Sequence, residues 1–233
     1  VKKTASKSRA KTRPKSKPST KKPMRKTAKP KAKAARRVAK AKPKMTAQAG
    51  PSARAKFAYK PVDPQTMMEQ WMKLAAPGQP HARFKKLQGR WNATVRFWMD
   101  PTAPAQESTG EAEFTLFHGG RFMRQDYKST SPQMPFEGLG LTGFDNFRKE
   151  YVDIWTDSMS TAFTISRGRE ESSTGAVNFK ALADRPTVGQ KDVPMRSITR
   201  FDGDDTHVIE MFSPGPSGKE FRNMEIVYKR VKS

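Results

Sequence analysis

The chain reads as a mainly β protein, an antiparallel up-and-down barrel of about ten strands with an N-terminal helix, preceded by a disordered basic tail. Three observations predict this. Residues 1–60 hold 17 Lys, 6 Arg and no Asp or Glu, so +23 of the net charge of +24 sits there. Residues 63–78 carry a helix start, a helical apolar period and a Pro-Gly stop. After Gly89 the apolar period changes to two and recurs in short stretches separated by turn residues.

The tail comes first. Among residues 1–50 only Val1, Met24, Val38 and Met45 are large and apolar. Such a segment cannot bury enough surface to offset chain entropy, and blocks of like charge are interaction arms. Two regions are therefore expected: a tail over 1–60 and a folded domain over 61–233, which carries 23 basic and 22 acidic residues. The domain is long enough for a real core.

A cation array that meets DNA or RNA releases condensed counterions, and this drives binding without base readout. The cations assigned to phosphate binding are Lys2, Lys3, Lys7, Arg9, Lys11, Arg13, Lys15, Lys17, Lys21, Lys22, Arg25, Lys26, Lys29, Lys31, Lys33, Arg36, Arg37, Lys40, Lys42 and Lys44. No aromatic residue precedes Phe57, so the tail has no stacking platform for single strands. Gln48 is its only amide side chain, so adenine readers are nearly absent. Residues 31–42 lack Pro and Gly and are rich in helix formers. On a helix, Lys33, Arg36, Arg37 and Lys40 share a face. Alone, so short a charged segment stays mostly unfolded; against phosphate it is expected to become helical. The tail's Lys-Pro and Ala-Lys-Pro-Lys elements resemble, in composition, the tails of linker histones and bacterial histone-like proteins.

The expected partner is DNA or rRNA, and the expected place is cytoplasmic, on nucleoid or ribosome. A solvated solubility tail, an anionic membrane and organelle targeting are the rival readings. The six prolines from Pro14 to Pro51 and the excess of Lys over Arg argue against a transit peptide. No apolar run is long enough to span a membrane as a helix. A chain that opens at Val1, without Met, is expected to be a mature start. With no Cys, disulfides, thiolate metal sites and Cys nucleophiles are excluded.

In the domain, Asp63 is the expected N-cap and Pro64 the first helical residue, with Pro77-Gly78 as the stop. Met68, Trp71, Met72 and Ala75 form a stripe expected to pack on the core. A second short helix is expected over 79–88, closed by Gly89. The strands are expected over residues 91–99, 111–117, 122–128, 137–145, 150–157, 162–169, 177–181, 195–201, 207–212 and 221–229. Turn residues such as His118-Gly119-Gly120 and Asp202-Gly203-Asp204-Asp205 lie between them. Closing such a meander removes its edges, with the helix placed to plug one end.

The domain resembles the bacterial family of domains of unknown function numbered 1579. The resemblance rests on Met67-Met68-Glu69, Trp71-Met72, Leu74 to Gly78, Gly89-Arg90-Trp91-Asn92, Phe97 to Pro101 and Glu107 to Gly110. It continues through Gly119 to Phe122, Pro135 to Gly138 and on to Gly143, Asp204 to Val208 and Met224 to Tyr228, and so spans residues 67–230. It implies a lipocalin-like barrel with no established activity; the basic tail is not part of the pattern. Gly89-Arg90-Trp91 is also similar to the Gly-x-Trp that opens the first lipocalin strand. That likeness implies a last-strand cation, Lys229 or Arg230, lying across Trp91.

No catalytic residue, metal site or cofactor is expected. The histidines His81, His118 and His207 lack metal-ligand spacing. Gly138-Leu139-Gly140-Leu141-Thr142-Gly143 spells a dinucleotide fingerprint, but another strand follows it rather than a helix, so it reads as strand glycines that let a barrel bend. No nucleophile elbow, phosphate loop or catalytic carboxylate pair is visible. A barrel cavity for a small apolar ligand would be lined by Trp98, Phe114, Met123, Trp155, Phe163, His207 and Met211, and the same residues would equally serve to fill it. An inward His207 is the residue that would ligate haem. The leading expectation is thus a nucleic-acid-associated accessory protein. A ligand or haem carrier with a localising tail, a ribosome-associated protein and an uncharacterised enzyme are the alternatives.

Overall fold

The computed structural model describes residues 58–132 and 135–232. The tail cations from Lys2 to Lys44, and the helix expected over 31–42, lie outside the described residues. Helix α1 (Pro64–Ala75) begins as its sequence dictates: the Asp63 carboxylate accepts from the Thr66 N–H at 2.9 Å, and Pro64 occupies the first turn. A 3-10 turn (Gln79–His81) and helix α2 (Ala82–Leu87) follow.

Ten strands come next: β1 (Gly89–Phe97), β2 (Gln106–Phe117), β3 (Phe122–Ser129), β4 (Glu137–Asp145) and β5 (Glu150–Asp157). Then come β6 (Thr164–Glu170), β7 (Val177–Arg185), β8 (Gln190–Phe201), β9 (Thr206–Pro214) and β10 (Glu220–Arg230). Each is antiparallel to its neighbour in sequence, and β1 pairs with β10, which closes the barrel. The register Trp91↔Arg230 ties the ends of the β region together, and Trp91↔Ala112 sets β2 on the other side of β1. Strand β2 starts five residues before the expected 111, and β8 starts at Gln190 rather than 195. Their early residues are polar or include Pro194, so they lack the apolar alternation that marks the rest.

The core gathers at one end. Phe84 and Leu87 of α2 insert against Trp91, Phe114, Tyr151, Phe179 and Tyr228. The Arg83 guanidinium ties α2 to the barrel rim, donating to the Gly175 and Thr199 carbonyls, each at 2.8 Å. The Tyr151 hydroxyl donates to the Pro80 carbonyl at 3.1 Å. So α2 and the 3-10 turn plug the barrel.

Helix α1 does not. None of its residues is buried, and Met67, Met68, Trp71, Met72 and Leu74 are 41–68 % exposed. The expectation that its stripe packs on the core is corrected here. Among the described residues, the hydrogen bonds from the barrel reach its C-terminal end: Arg121 donates to the Ala75 carbonyl at 2.7 Å, and Asn146 to those of Leu74 and Ala76 at 2.7 and 2.9 Å.

Interior rings lie over strand glycines. Tyr127 covers Gly110, Trp155 covers Gly138 and Phe179 covers Gly168, and a Cβ at any of the three would collide with the ring. This close approach explains Gly138 in the glycine-rich β4 better than bending does. Gly138→Ala is expected to force the Trp155 ring aside and to cost about 1–3 kcal/mol. A denaturant melt matching the wild type would refute it.

The β6–β7 ladder is the shortest of the ring. It pairs only Arg167–Glu170 with Val177–Lys180, while β6 begins at Thr164 and β7 runs on to Arg185. Exposed Ile165 and Leu182 sit on the two strands where they part.

Candidate functional site

At the plugged end, the Trp91 indole is fully buried. Its Nε1 donates to the Leu87 carbonyl at 2.7 Å, which locks α2 to β1. The Arg230 guanidinium lies 4.1 Å from the ring centroid. Arg230 also donates to the Lys86 and Gln88 carbonyls and to the Asp205 carboxylate. Of the two cations implied by the lipocalin likeness, Arg230 therefore crosses Trp91. Lys229 is exposed and donates to the Thr206 hydroxyl at 2.8 Å.

Strand parity sorts the expected cavity residues. Phe114, Met123 and His207 are buried inside, and Trp155 and Met211 face inward, partly buried. Two are corrected. Trp98 follows inward Phe97 and so turns outward, where the Arg222 guanidinium covers its ring at 4.9 Å. Phe163 lies in the β5–β6 connection and is 71 % exposed. Sequence reading missed the inward polar side chains Gln125, Thr142 and Asp153. Their signal was present: Asp153 alternates in phase with Tyr151 and Trp155, and Thr142 in phase with Phe144.

These polar groups pair across the interior. Gln125 donates to the Tyr228 hydroxyl at 2.9 Å, and the Thr142 hydroxyl donates to Asp153 at 2.6 Å. Desolvation pushes the Asp153 carboxyl above its ordinary value, despite the Thr142 bond that opposes it, and raises the Tyr228 phenol.

His207 is 3 % exposed. Neither ring nitrogen has a hydrogen-bond partner. The ring stacks on Tyr228 at 5.6 Å and leans against Phe201 at 5.2 Å. Burial, with Arg83 and Arg200 adding repulsion, pushes its pKa down to about 3. Tyr228 and Phe201 pack against the faces of the imidazole, whereas a metal would bond a nitrogen in the ring plane, and both nitrogens are buried. His81 lies in the 3-10 turn, where its Nδ1 accepts from the Gly78 N–H at 2.9 Å, and His118 lies in the β2–β3 turn; the three histidines occupy separate places.

The outer wall carries paired charges. Arg96 bridges Glu107 and Glu225, Arg222 bridges Glu210 and Glu225, and Arg167 and Arg169 both meet Glu150. A groove of about 840 Å³ over β2–β5 is lined by Glu111, Glu113, Asp126, Glu137 and Asp157 beside Arg90 and Lys128.

Among solved structures, the chain is similar to Rv2717c from M. tuberculosis, with 15 % identity, TM-score 0.50, and 67 % of this chain and 100 % of that one covered. It is also similar to a redesigned β-barrel, with 14 % identity, TM-score 0.33, and 64 % and 95 % covered. A third is a Nostoc punctiforme protein of unknown function from the DUF3598 family, with 7 % identity, TM-score 0.21, and 66 % and 100 % covered. At these identities the likeness to Rv2717c speaks for the barrel fold alone. No curated protein matches the sequence. Over residues 76–230, from the plug through the closing strand, the sequence matches the family described as protein of unknown function (DUF1579), and the chain belongs to that family.

Proposed function

We propose that this protein binds nucleic acid without reading its sequence, gripping phosphates with the cations of residues 1–60. The observation that carries this reading is the partition of charge: 23 cations and no carboxylate in the tail, against a net +1 in the rest. The barrel's pairing of charges supports it, since Arg96, Arg167, Arg196, Arg222 and Arg230 all lie against carboxylates. The barrel then serves as the module that the tail brings to DNA or rRNA. Flexible Lys point charges favour backbone contacts over base edges.

Deleting residues 1–60 is expected to abolish binding in a gel shift and to leave the barrel's melting unchanged. For the full chain, if a third of the tail's cations meet phosphate, log K on duplex DNA should fall with log salt at a slope of about −7. Tight binding by residues 61–233, or a shallow slope, would overturn the reading. Fractionation with and without RNase separates ribosome from nucleoid.

A second reading is favoured by the inward Gln125, Thr142 and Asp153 and by the unpartnered His207: a carrier of a small, mainly apolar ligand with one polar group. A co-purifying mass in native mass spectrometry of the barrel would favour it.

A further inference from the structure

Helix α1 sorts its side chains cleanly. Met67, Met68, Trp71, Met72, Leu74 and Ala75 fall on one side, and Gln65, Thr66, Glu69, Gln70 and Lys73 on the other. Yet, among the described residues, none of these apolar side chains is buried. A twelve-residue helix gains little from its own hydrogen bonds and is stabilised chiefly by packing such a face. Among the described residues, the barrel's hydrogen bonds to the helix come from Arg121 and Asn146 at its C-terminal end, and its apolar face stays largely exposed. Phe147, beside Asn146, adds a ring that is 78 % exposed at the same end.

We propose that this face pairs with the same face of a second copy, α1 against α1, antiparallel about Trp71. The area lies toward the lower side of a standard interface. With large apolar side chains carrying roughly 200 Å² each, the five on α1 and Phe147 leave about 700 Å² open per copy. A standard interface covers about 800 Å² per partner. An isologous contact about Trp71 sets Met68 of one copy opposite Leu74 of the other and Met67 opposite Ala75, while Met72 meets Gln70 at the edge of the face.

Charge fixes the direction. The tail and its +23 end at Lys60, three residues before the Asp63 cap. Parallel helices would bring both tails to one end, where they repel. Antiparallel helices send them to opposite ends. The competing occupant is a lipid surface; the polar side of α1 holds a single cation, Lys73, beside Glu69, so attraction to anionic headgroups would come from the tail and not from the helix. Pairing also gives the assembly two tails, which turns a second phosphate contact into an intramolecular one.

The pairing does not rest on the tail's ligand, and its test uses none. Sedimentation of the full chain in high salt, which screens tail repulsion, is expected to show a concentration-dependent doubling of mass. Met68→Glu with Trp71→Glu should halve that mass and leave the barrel's melting unchanged, since neither residue is buried. Trp71→Phe should keep the doubled mass. A wild-type chain that stays monomeric at its highest soluble concentration overturns the proposal, as does a double-Glu variant that still pairs. Monomers that co-sediment with anionic vesicles through Trp71 would overturn it in favour of the lipid surface.

Discussion

Trp91→Ala is expected to destabilise the barrel by about 3–5 kcal/mol. The indole is fully buried, so its removal leaves a cavity that α2, β1 and β2 cannot all collapse to fill. The loss is compounded, because Nε1 no longer satisfies the Leu87 carbonyl and Arg230 loses the ring beneath it. A guanidinium over an indole contributes about 0.5–2 kcal/mol. Arg230→Lys should therefore cost less than Trp91→Ala but more than a surface change, since an ammonium cannot span the Lys86 and Gln88 carbonyls and the Asp205 carboxylate together. Urea melts measure both. A Trp91→Ala barrel that unfolds at the wild-type midpoint would show that the plug is not seated on this ring.

His207 makes the barrel sensitive to acid. Its folded pKa lies near 3, against an ordinary 6.5 in the unfolded chain. Above pH 6.5 both states hold the imidazole neutral, and its burial carries no proton penalty. Between 6.5 and about 3 the unfolded chain takes up a proton that the folded barrel refuses, so stability falls as pH falls. At about 1.36 kcal/mol per unit the full loss amounts to several kcal/mol. Arg83 and Arg200 keep the proton out along with burial. Asp153 acts in the opposite sense: its raised folded pKa makes acid the more favourable condition for it, and this offsets part of the loss near the foot of the range. His207→Phe, which preserves the stack on Tyr228, is expected to flatten the fall in melting temperature between pH 7 and 4. Parallel slopes for the two proteins would remove His207 as the cause.

The barrel was legible in the sequence because its strands obey two local rules at once. Residues alternate, as in Tyr151, Asp153 and Trp155 facing in with Val152 and Ile154 facing out, and Gly-rich turns punctuate them. Closure was legible only as a consequence, through the cost of open edges; the pairing of Trp91 with Arg230 joins positions that no local rule connects. The interior was half legible. Hydrophobicity and parity disagree at these positions: Trp98 is apolar but out of phase with inward Phe97, while Asp153 and Gln125 are polar and in phase with the core. For α1 the period was right and the conclusion was not. An amphipathic stripe states that something covers it, and the pattern is the same whether the cover is the chain's own core or another molecule. The tail's charge was legible throughout, because it depends on composition and not on register.

The ring's closure also orders events in time. A chain made from its N-terminus completes its polycation first and β10 last. Hairpins can form as they emerge, but the gap between β1 and β10 spans more of the domain than any other pairing, and such distant contacts are slow to form. Until Glu220–Arg230 arrives, the growing sheet has two bare edges able to recruit strands from other chains. The tail is by then long available. Its +23 opposes contact between nascent copies during the interval in which they are most prone to aggregate.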